Sequence, residues 1–266
     1  MSFYSNSAFT NEHILITGAT GGIGYVTSLA LLKAGACVTV TGRNDEKLSR
    51  IKQEAHYHAD ASRMHVVSGD ITVPNDRHRI VKEANDSFGP ITGLVNSAGI
   101  SGGDVVENIQ EEEINEIMEL NFTAQVMLSQ LVFKQMKELQ RGNIVNVSSL
   151  SGLRGTYGNT AYAGSKFALI GFTQSFALEA IDYGVRVNAV CPGFVDTSMA
   201  QHILEKKAAK AGISYEEQRN RTEEALPSKK ITTPEEVADT ILFLLTGASK
   251  NIIGESIKIS GGSVMR

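Results

Sequence analysis

Tyr162 and Lys166 are the two residues whose types and spacing indicate chemistry most directly. They lie four residues apart in TAYAGSKFAL, a stretch with the apolar periodicity of a helix. Residues four apart lie on one face of a helix, one turn from each other. An ammonium group near a phenol stabilises the phenolate and lowers a pKa that is about 10 in water. The pair therefore predicts a tyrosine that can donate or accept a proton near neutral pH.

A glycine-rich turn, TGATGGIG, follows the first apolar run and precedes a helical stretch. Gly18, Gly22 and Gly24 have no side chains, so the backbone here can turn tightly and approach a pyrophosphate group. The N–H groups at the start of the helix would then face the negative charge. Glycine-rich turns also occur for purely conformational reasons, so it is the order of strand, turn and helix that favours a dinucleotide site.

The segment VTVTGRNDEKL, at the end of the second apolar run, bears on the choice of cofactor. In dinucleotide-binding folds an acidic residue at this point hydrogen-bonds the ribose 2′-hydroxyl of NAD. Gly42 takes that place and Arg43 follows it, so a 2′-phosphate would meet no carboxylate and could accept charge-assisted hydrogen bonds from the guanidinium. We expect NADP (NADPH) to be preferred over NAD, although Asp45 is close by and an arginine in a loop can simply be solvated.

These residues are distributed over alternating apolar runs and helical stretches. The pattern predicts an α/β fold in a single domain of 266 residues, a Rossmann-type doubly wound parallel sheet of about seven strands with helices on both faces. The predicted strands span residues 13–17, 36–41, 64–70, 91–99, 142–149, 185–193 and 252–260. The predicted helices span residues 22–33, 45–59, 75–88, 111–139 and 162–183.

Two segments differ from this pattern. Residues 1–11 are expected to form an N-terminal extension. Residues 198–228 are rich in Lys, Glu and Gln and poor in bulky apolar residues, which is compatible with a solvated helical insertion. They also follow the sixth predicted strand directly, at the edge where ligands bind in open α/β sheets, which predicts a lid over the substrate.

Several motifs together resemble the short-chain dehydrogenase/reductase family. The turn has the spacing G-x-x-x-G-x-G, NSAG at 96–99 takes the position of the family's N-N-A-G, and PGFVDT at 192–197 is similar to its P-G-x-x-x-T. Ser149 precedes Tyr162 by thirteen residues, as the family's serine precedes its tyrosine. The resemblance extends from His13 to Gly262.

The resemblance implies a catalytic set of Asn121, Ser149, Tyr162 and Lys166. In the family, NADPH delivers hydride to a ketone carbon, the serine stabilises charge on the carbonyl oxygen, and the tyrosine protonates that oxygen. The lysine restores the proton through a relay that includes a water ordered by the asparagine. Taken singly, these residues could be a strand-end cap, a half-buried tyrosine, a solvated cation and a helix-distorting amide. Their combination with the glycine turn favours catalysis.

The resemblance also implies which residues contact the cofactor. Asp70 would contact the adenine ring, and Pro192, Gly193 and Thr197 would hold the nicotinamide amide. The family's other NADP marker, a basic residue inside the glycine turn, is absent because Gly21 stands there. The predicted cofactor-binding residues are Gly18, Thr20, Gly21, Gly22, Ile23, Gly24, Arg43, Asn44, Asp70, Ile71, Asn96, Ala98, Gly99, Tyr162, Lys166, Pro192, Gly193, Val195 and Thr197.

Composition argues against several classes of partner. A formal net charge of −4 provides no basic field for nucleic acid. The sequence has no apolar run of about 18 residues and no basic and apolar leader, so we expect a cytoplasmic protein without a membrane partner. Cys37 and Cys191 lack metal-type spacing, so we expect reduced, structural thiols and no metal.

The substrate is expected to be a small carbonyl or alcohol compound. NSAGISGGD and NAVCPGFVDTSMA resemble β-ketoacyl reductases and aromatic polyketide ketoreductases, in which a glycine pair lies beside the substrate. Gly102 and Gly103 could take that part or form an ordinary loop turn. Ser151 stands where β-hydroxybutyrate dehydrogenases carry a carboxylate-binding histidine, which disfavours that specificity.

We therefore expect a ketone reductase acting on a 3-oxoacyl or polyketide-like substrate. The alternatives are a secondary-alcohol dehydrogenase for a sugar, steroid or xenobiotic, and a non-catalytic sensor that binds a dinucleotide. The helices at 111–139 and 162–183 correspond to those that pair between subunits in the family, which implies a homotetramer or, alternatively, a dimer.

Overall fold

The apolar runs form one parallel sheet in the computed structural model, which describes residues 4–265. Its strand order, β3-β2-β1-β4-β5-β6-β7, confirms the predicted fold class. The strands are β1 (His13–Thr17), β2 (Cys37–Gly42), β3 (Met64–Ser68), β4 (Gly93–Asn96), β5 (Gly142–Val147), β6 (Val185–Pro192) and β7 (Ser256–Ile259).

Helices cover both faces of the sheet. They are α1 (Gly22–Lys33), α2 (Asp45–His58), α3 (Pro74–Phe88), α4 (Glu111–Met118), α5 (Ala124–Leu139), α6 (Thr160–Ala180), α7 (Ser198–Ala211), α8 (Tyr215–Ala225) and α9 (Pro234–Leu245). Two apolar clusters result, one built around α1 and α9 and the other around α5 and α6. Strands β1, β4 and β6 are buried along their whole length, as expected for strands covered on both faces.

The chain reverses its direction of travel across the sheet between β1 and β4. From β1 it moves outward to β2 and β3, and it then returns to the other side of β1 as β4. In open α/β sheets the crevice at such a reversal is where ligands bind, outside the carboxyl ends of the strands. The glycine turn after β1 and the NSAG segment after β4 therefore face one crevice.

The strands predicted at 185–193 and 252–260 end one residue early, at Pro192 and Ile259, and the last one begins at Ser256 rather than at residue 252. Three other predicted strands end two or three residues early. The predicted ranges 64–70, 91–99 and 142–149 end at Ser68, Asn96 and Val147 in the structure. The residues that follow turn away from the ladder toward the crevice, which is why the predicted ranges overran.

The predicted helix at 111–139 is interrupted in its middle. Residues Glu119–Thr123 form a π-helical turn between α4 and α5, and Asn121 lies fully buried within it. A π turn holds one extra residue per turn, so it changes the direction in which its side chains point. It thereby turns Asn121 toward the residues after β4.

Helix α9 was missed by the sequence analysis. Its start carries a capping box in which Thr233 and Glu236 satisfy each other's backbone N–H groups. Its apolar face, which includes Ile241 and Leu245, packs in the α1 cluster. The signal was present as T-x-x-E ahead of an apolar run.

The two segments outside the strand–helix pattern are folded where the structure describes them. Residues 1–3 of the predicted extension lie outside the described residues, but Phe9 is buried and the Tyr4 hydroxyl donates to the Asp239 carbonyl over 2.9 Å. Residues 198–228 form α7 and α8, and only α7 contributes buried side chains. No helix within residues 4–265 has the length and apolar character needed to cross a membrane.

Candidate active site

The glycine turn after β1, at residues 18–24, forms a cradle in which its glycines leave no room for side chains. Gly18 has a φ of 66°, and a Cβ there would lie 2.7 Å from the backbone nitrogen of Ala98. A Cβ on Gly24 would lie 2.5 Å from the Gly18 carbonyl oxygen, and one on Gly22 would lie 2.6 Å from Cγ2 of Thr197. The three glycines thus allow the turn, the NSAG segment and the PGFVDT segment to meet at backbone distance.

Helix α1 begins at this cradle with features that favour an anion. No side chain caps its N-terminus, and its first turn contains no acidic residue. The N–H groups in the first turn of a helix have no carbonyl partner within the helix, and the helix dipole places partial positive charge there. A pyrophosphate group fits both conditions.

The cradle opens into a cleft of about 310 Å³. Twelve of the predicted cofactor-binding residues line it: Gly18, Thr20, Gly21, Gly22, Ile23, Gly24, Arg43, Asp70, Ile71, Ala98, Gly99 and Thr197. The structure thus brings together residues from five of the predicted motifs, on the carboxyl side of β1, β2, β3, β4 and β6. This elongated set of donors and small residues fits a dinucleotide.

Two cations that follow β2, Arg43 and Lys47, line the cleft. Arg43 is 61% exposed and its Nη1 lies 3.6 Å from Oδ2 of Asp70, a loose pair that leaves the guanidinium free to donate elsewhere. Lys47, one turn into α2, also lines the cleft and was missed by the sequence analysis. Its position four residues after Arg43 was the signal that could have identified it.

Seven predicted cofactor residues do not line the cleft, namely Asn44, Asn96, Pro192, Gly193, Val195 and the two catalytic residues Tyr162 and Lys166. Asn44 caps α2, where its side chain accepts from the Lys47 N–H over 2.8 Å, while Pro192, Gly193 and Val195 lie behind Thr197 on the way out of β6. Asn96 is fully buried, and its side chain donates to Oγ of Ser129 and Oδ1 of Asn146 over 2.9 and 2.8 Å. Its side chain therefore ties β4 to β5.

Further lining residues come from positions that were not predicted as cofactor contacts. They are Thr41, Gly42, Lys47, Gly69, Ser97, Leu120, Ser198 and Met199. Most are immediate neighbours of predicted residues, since every strand end that faces the crevice contributes its adjoining loop. Ser198 and Met199 show that the start of α7 reaches the cleft.

Asn121 and Lys166 meet beneath the NSAG segment. The Asn121 side chain accepts from the Ile100 N–H and donates to the Ile100 carbonyl, each over 2.9 Å, and also donates to Oγ of Ser165 over 3.1 Å. Lys166 Nζ donates to the Val147 carbonyl over 2.9 Å. Gly99 makes room for both groups, because a Cβ there would lie 3.1 Å from Oδ1 of Asn121 and 3.6 Å from Nζ of Lys166.

Tyr162 lies above Lys166 with its phenol hydrogen-bonded to Ser149. The Lys166 Nζ is 5.7 Å from the centroid of the Tyr162 ring, one helical turn away, as the spacing predicted. Ser149 follows β5 and caps a short 3₁₀ turn by accepting from the Ser151 N–H over 3.1 Å. The four predicted catalytic side chains therefore form one cluster, which adjoins the cleft at Gly99 although none of the four belongs to the cleft lining.

The pKa values of this pair differ from the sequence-based expectation. Burial raises the pKa of Tyr162, and the hydrogen bond from Ser149 only partly offsets the rise. Burial also lowers the pKa of Lys166 to about 8. Contrary to the expectation, desolvation of the phenolate has the largest effect on this pKa, and the opposing effect comes from Ser149 rather than from the Lys166 ammonium. Tyr162 is set to hold its proton at neutral pH.

The loop after NSAG is fixed from two sides. Gly103 has a φ of 122°, and its N–H donates to Oε1 of Glu113 over 2.8 Å. A Cβ on Gly103 would lie 3.3 Å from Cα of Asn159, just before α6. The glycine therefore serves the conformation and packing of this loop, close to the start of the helix that carries Tyr162. Within residues 4–265 no group of three or more His, Cys, Asp or Glu side chains is arranged to hold a metal.

Residues 12–208 match the family model of the short chain dehydrogenases. The chain belongs to the short-chain dehydrogenase family. Its Rossmann-type sheet and its arrangement of Ser149, Tyr162 and Lys166 agree with this identification. It is accordingly an oxidoreductase that needs a nicotinamide cofactor.

Individual relatives are similar over almost the whole chain. The 3-oxoacyl-(acyl-carrier-protein) reductase FabG of Vibrio cholerae is 33% identical over 251 residues, which cover 94% of this chain and 96% of the relative. A putative ketoacyl reductase of Streptomyces coelicolor is 33% identical over 257 residues, covering 95% and 97%. Among solved structures, a variant of the actinorhodin polyketide ketoreductase with NADPH superposes with a TM-score of 0.91 at 30% identity, covering 96% and 98%.

Replacing Gly24 with alanine should destabilise the cradle. The new Cβ would press on the Gly18 carbonyl, a backbone atom that cannot rotate away. We expect the free energy of unfolding in urea to fall by about 2 kcal/mol, a typical overpacking cost, with loss of dinucleotide binding. Gly21→Ala is the matched control for stability, since its Cβ would meet only one atom, at 3.4 Å. Equal stability of the two variants would contradict the close packing of Gly24 against the Gly18 carbonyl.

Proposed function

We propose that this chain is an NADPH-dependent reductase that converts a ketone to a secondary alcohol. The observation that carries the proposal is the Tyr162 phenol, hydrogen-bonded to Ser149 and one turn from the buried Lys166, in a cluster that adjoins the dinucleotide cleft at Gly99. A 3-oxoacyl or polyketide-like ketone is the substrate class that agrees with the names of the relatives.

Each side chain then has a distinct part in the reaction. The carbonyl carbon would accept a hydride, which is the chemistry that a reduced nicotinamide held in the cleft would supply. Tyr162 donates its phenolic proton to the carbonyl oxygen, and the Ser149 hydroxyl donates a hydrogen bond to the same oxygen as negative charge develops on it. The raised pKa of Tyr162 keeps the phenol protonated at neutral pH, which suits the direction of reduction.

Lys166 and Asn121 act behind the tyrosine. The ammonium replaces the proton that Tyr162 gives up, and a pKa of about 8 lets it lose and regain that proton near neutral pH. Asn121, held rigidly by both backbone groups of Ile100, lies close enough to Gly99 and Lys166 to orient a water that passes the proton onward.

Selection of NADPH is assigned to the cationic end of the cleft. Arg43 would donate charge-assisted hydrogen bonds to the 2′-phosphate, and Lys47 would add a second positive charge. Thr41 and Gly42 place no carboxylate where the 2′-hydroxyl of NAD would need one. The presence of NADPH in a solved structural relative supports this choice.

We also propose that the protein is a cytoplasmic homotetramer and that α7 and α8 form a lid over the substrate. Apolar side chains are exposed on the long helices at Ile114, Met127, Phe167 and Leu178, as a subunit interface through α4, α5 and α6 would require. Met199 reaches the cleft from the start of α7, which supports the lid.

Tyr162→Phe should abolish ketone reduction. Removing the proton donor is expected to lower kcat by about a thousandfold, while NADPH affinity stays largely intact because the ring is retained. The measurement is NADPH consumption at saturating concentrations across a panel of 3-oxoacyl thioesters and cyclic ketones.

Tyr157→Phe is the matched control for that substitution, since this tyrosine is 94% exposed on the loop before α6. Substantial residual activity in Tyr162→Phe would refute the role of the phenol. Tight NADPH binding by the unmodified protein without turnover of any ketone or alcohol would favour a dinucleotide sensor instead.

Arg43→Asp should reverse the preference between the two cofactors. The new carboxylate would repel the 2′-phosphate and could accept a hydrogen bond from the 2′-hydroxyl of NADH. We expect the Michaelis constant for NADPH to rise by about a hundredfold, the effect of losing one charge-assisted contact and adding a repulsion, with little change for NADH.

Arg50→Asp provides the control for this charge change. Arg50 lies on α2, is exposed and pairs with Glu54 outside the cleft. If Arg43→Asp changes the Michaelis constants for NADPH and NADH by the same factor, as Arg50→Asp is expected to do, cofactor selection by Arg43 is ruled out.

A further inference from the structure

Asp196 joins both helices of the 198–225 segment to the turn that reaches the cofactor cleft. Its Oδ2 accepts from Nη2 of Arg219 on α8 over 2.8 Å, and its Oδ1 accepts from Nε2 of Gln201 on α7 over 3.3 Å. Its own N–H donates to the Thr232 carbonyl over 2.9 Å, which fixes the turn to the rest of the domain.

The turn that holds Asp196 is in direct contact with the cleft. Thr197, the next residue, lines the cleft beside Gly22, and it also caps α7 by accepting from the Ala200 N–H. Ser198 and Met199 continue the lining. Movement of Asp196 would therefore displace the groups that close one side of the cleft.

Helix α8 lies at the surface, where polar contacts such as this one contribute to its position. None of its residues is buried, so apolar packing stabilises its position only weakly. Arg219 and Asp196 are each about 30% exposed, and the arginine also pairs with Glu223 over 3.4 Å and hydrogen-bonds Tyr215. The guanidinium is thus fixed on its own helix before it reaches across to the turn.

We propose that Arg219 is a positioning residue that latches α8, through Asp196, to the turn beside the cofactor cleft and thereby slows release of the dinucleotide. The proposal rests on the dinucleotide site of the proposed function. It assigns the lid a specific anchor, namely one charge-assisted hydrogen bond between residues 23 positions apart in the chain. Lids of this kind commonly limit turnover by the rate at which they open.

Arg219→Gln tests the latch with two independent measurements. Amide hydrogen exchange in the free protein should become faster in α8 and in the turn at 195–199. The NADPH dissociation rate, followed by the fluorescence of the bound dihydronicotinamide, should rise about tenfold, as expected for loss of one hydrogen bond between charged groups. Arg219→Lys, which keeps the charge, should lie between the variant and the parent protein.

Arg221→Gln is the matched control on the same helix. Arg221 forms an exposed pair with Glu217, one turn apart on α8, and does not touch Asp196. It should leave both the exchange of the turn and the dissociation rate unchanged. Its thermal melting temperature shows how much either arginine adds to general stability.

Two results would overturn the latch. One is a lower melting temperature in Arg219→Gln with an unchanged NADPH dissociation rate, which would make the ion pair merely structural. The other is unchanged hydrogen exchange at 195–199, which would mean that α8 and the turn are not coupled. If the parent protein binds neither NADPH nor NADH, the proposed function fails, whereas hydrogen exchange in the free protein still decides whether the latch couples the two segments.

Discussion

The buried ammonium of Lys166 is the group on which the arrangement of the site depends. The side chain is 4% exposed, and the partner described for Nζ is a backbone carbonyl, that of Val147, rather than a carboxylate. A charge in that setting is only partly compensated, so its pKa falls to about 8. The neighbouring groups fit this constraint. Gly99 has no side chain that would press on Nζ, and the π turn brings a neutral amide, that of Asn121, rather than an acid to its side.

The parallel sheet explains how such distant residues reach one place. Ser149 follows β5, the glycine turn follows β1, NSAG follows β4 and PGFVDT closes β6, so all of them emerge at the same edge. Helix α6 then runs back beside β5 and β6, which places Tyr162 and Lys166 opposite those strand ends. Buried amides stabilise this edge, since Asn96 and Asn146 hydrogen-bond across β4 and β5 and Asn146 continues to Oγ1 of Thr173 on α6.

The parallel sheet and the location of the site at its carboxyl edge could be predicted from the sequence, because the strands are apolar on both faces and the motifs follow strand ends. The π turn could not, because the apolar periodicity of α4 and α5 continues through it. Asn96 was expected at the cofactor, but its side chain turns inward to Ser129, a contact that depends on the distance between β4 and α5. The direction of the Tyr162 pKa was wrong for a similar reason. The lysine is visible in the sequence, whereas the burial that raises the pKa of Tyr162 arises only in the packed fold.

The most direct test of the account is the pH dependence of kcat/KM for NADPH at saturating ketone, which reports ionisations of the free protein. Lys166 has a lowered pKa, so it is charged below about pH 8 and neutral above it. Reduction consumes a proton that this ammonium supplies, so kcat/KM should be level at lower pH and fall as the pH rises through about 8. A profile that stays level up to the ionisation of the phenol, above pH 10, would contradict a buried lysine as the proton source.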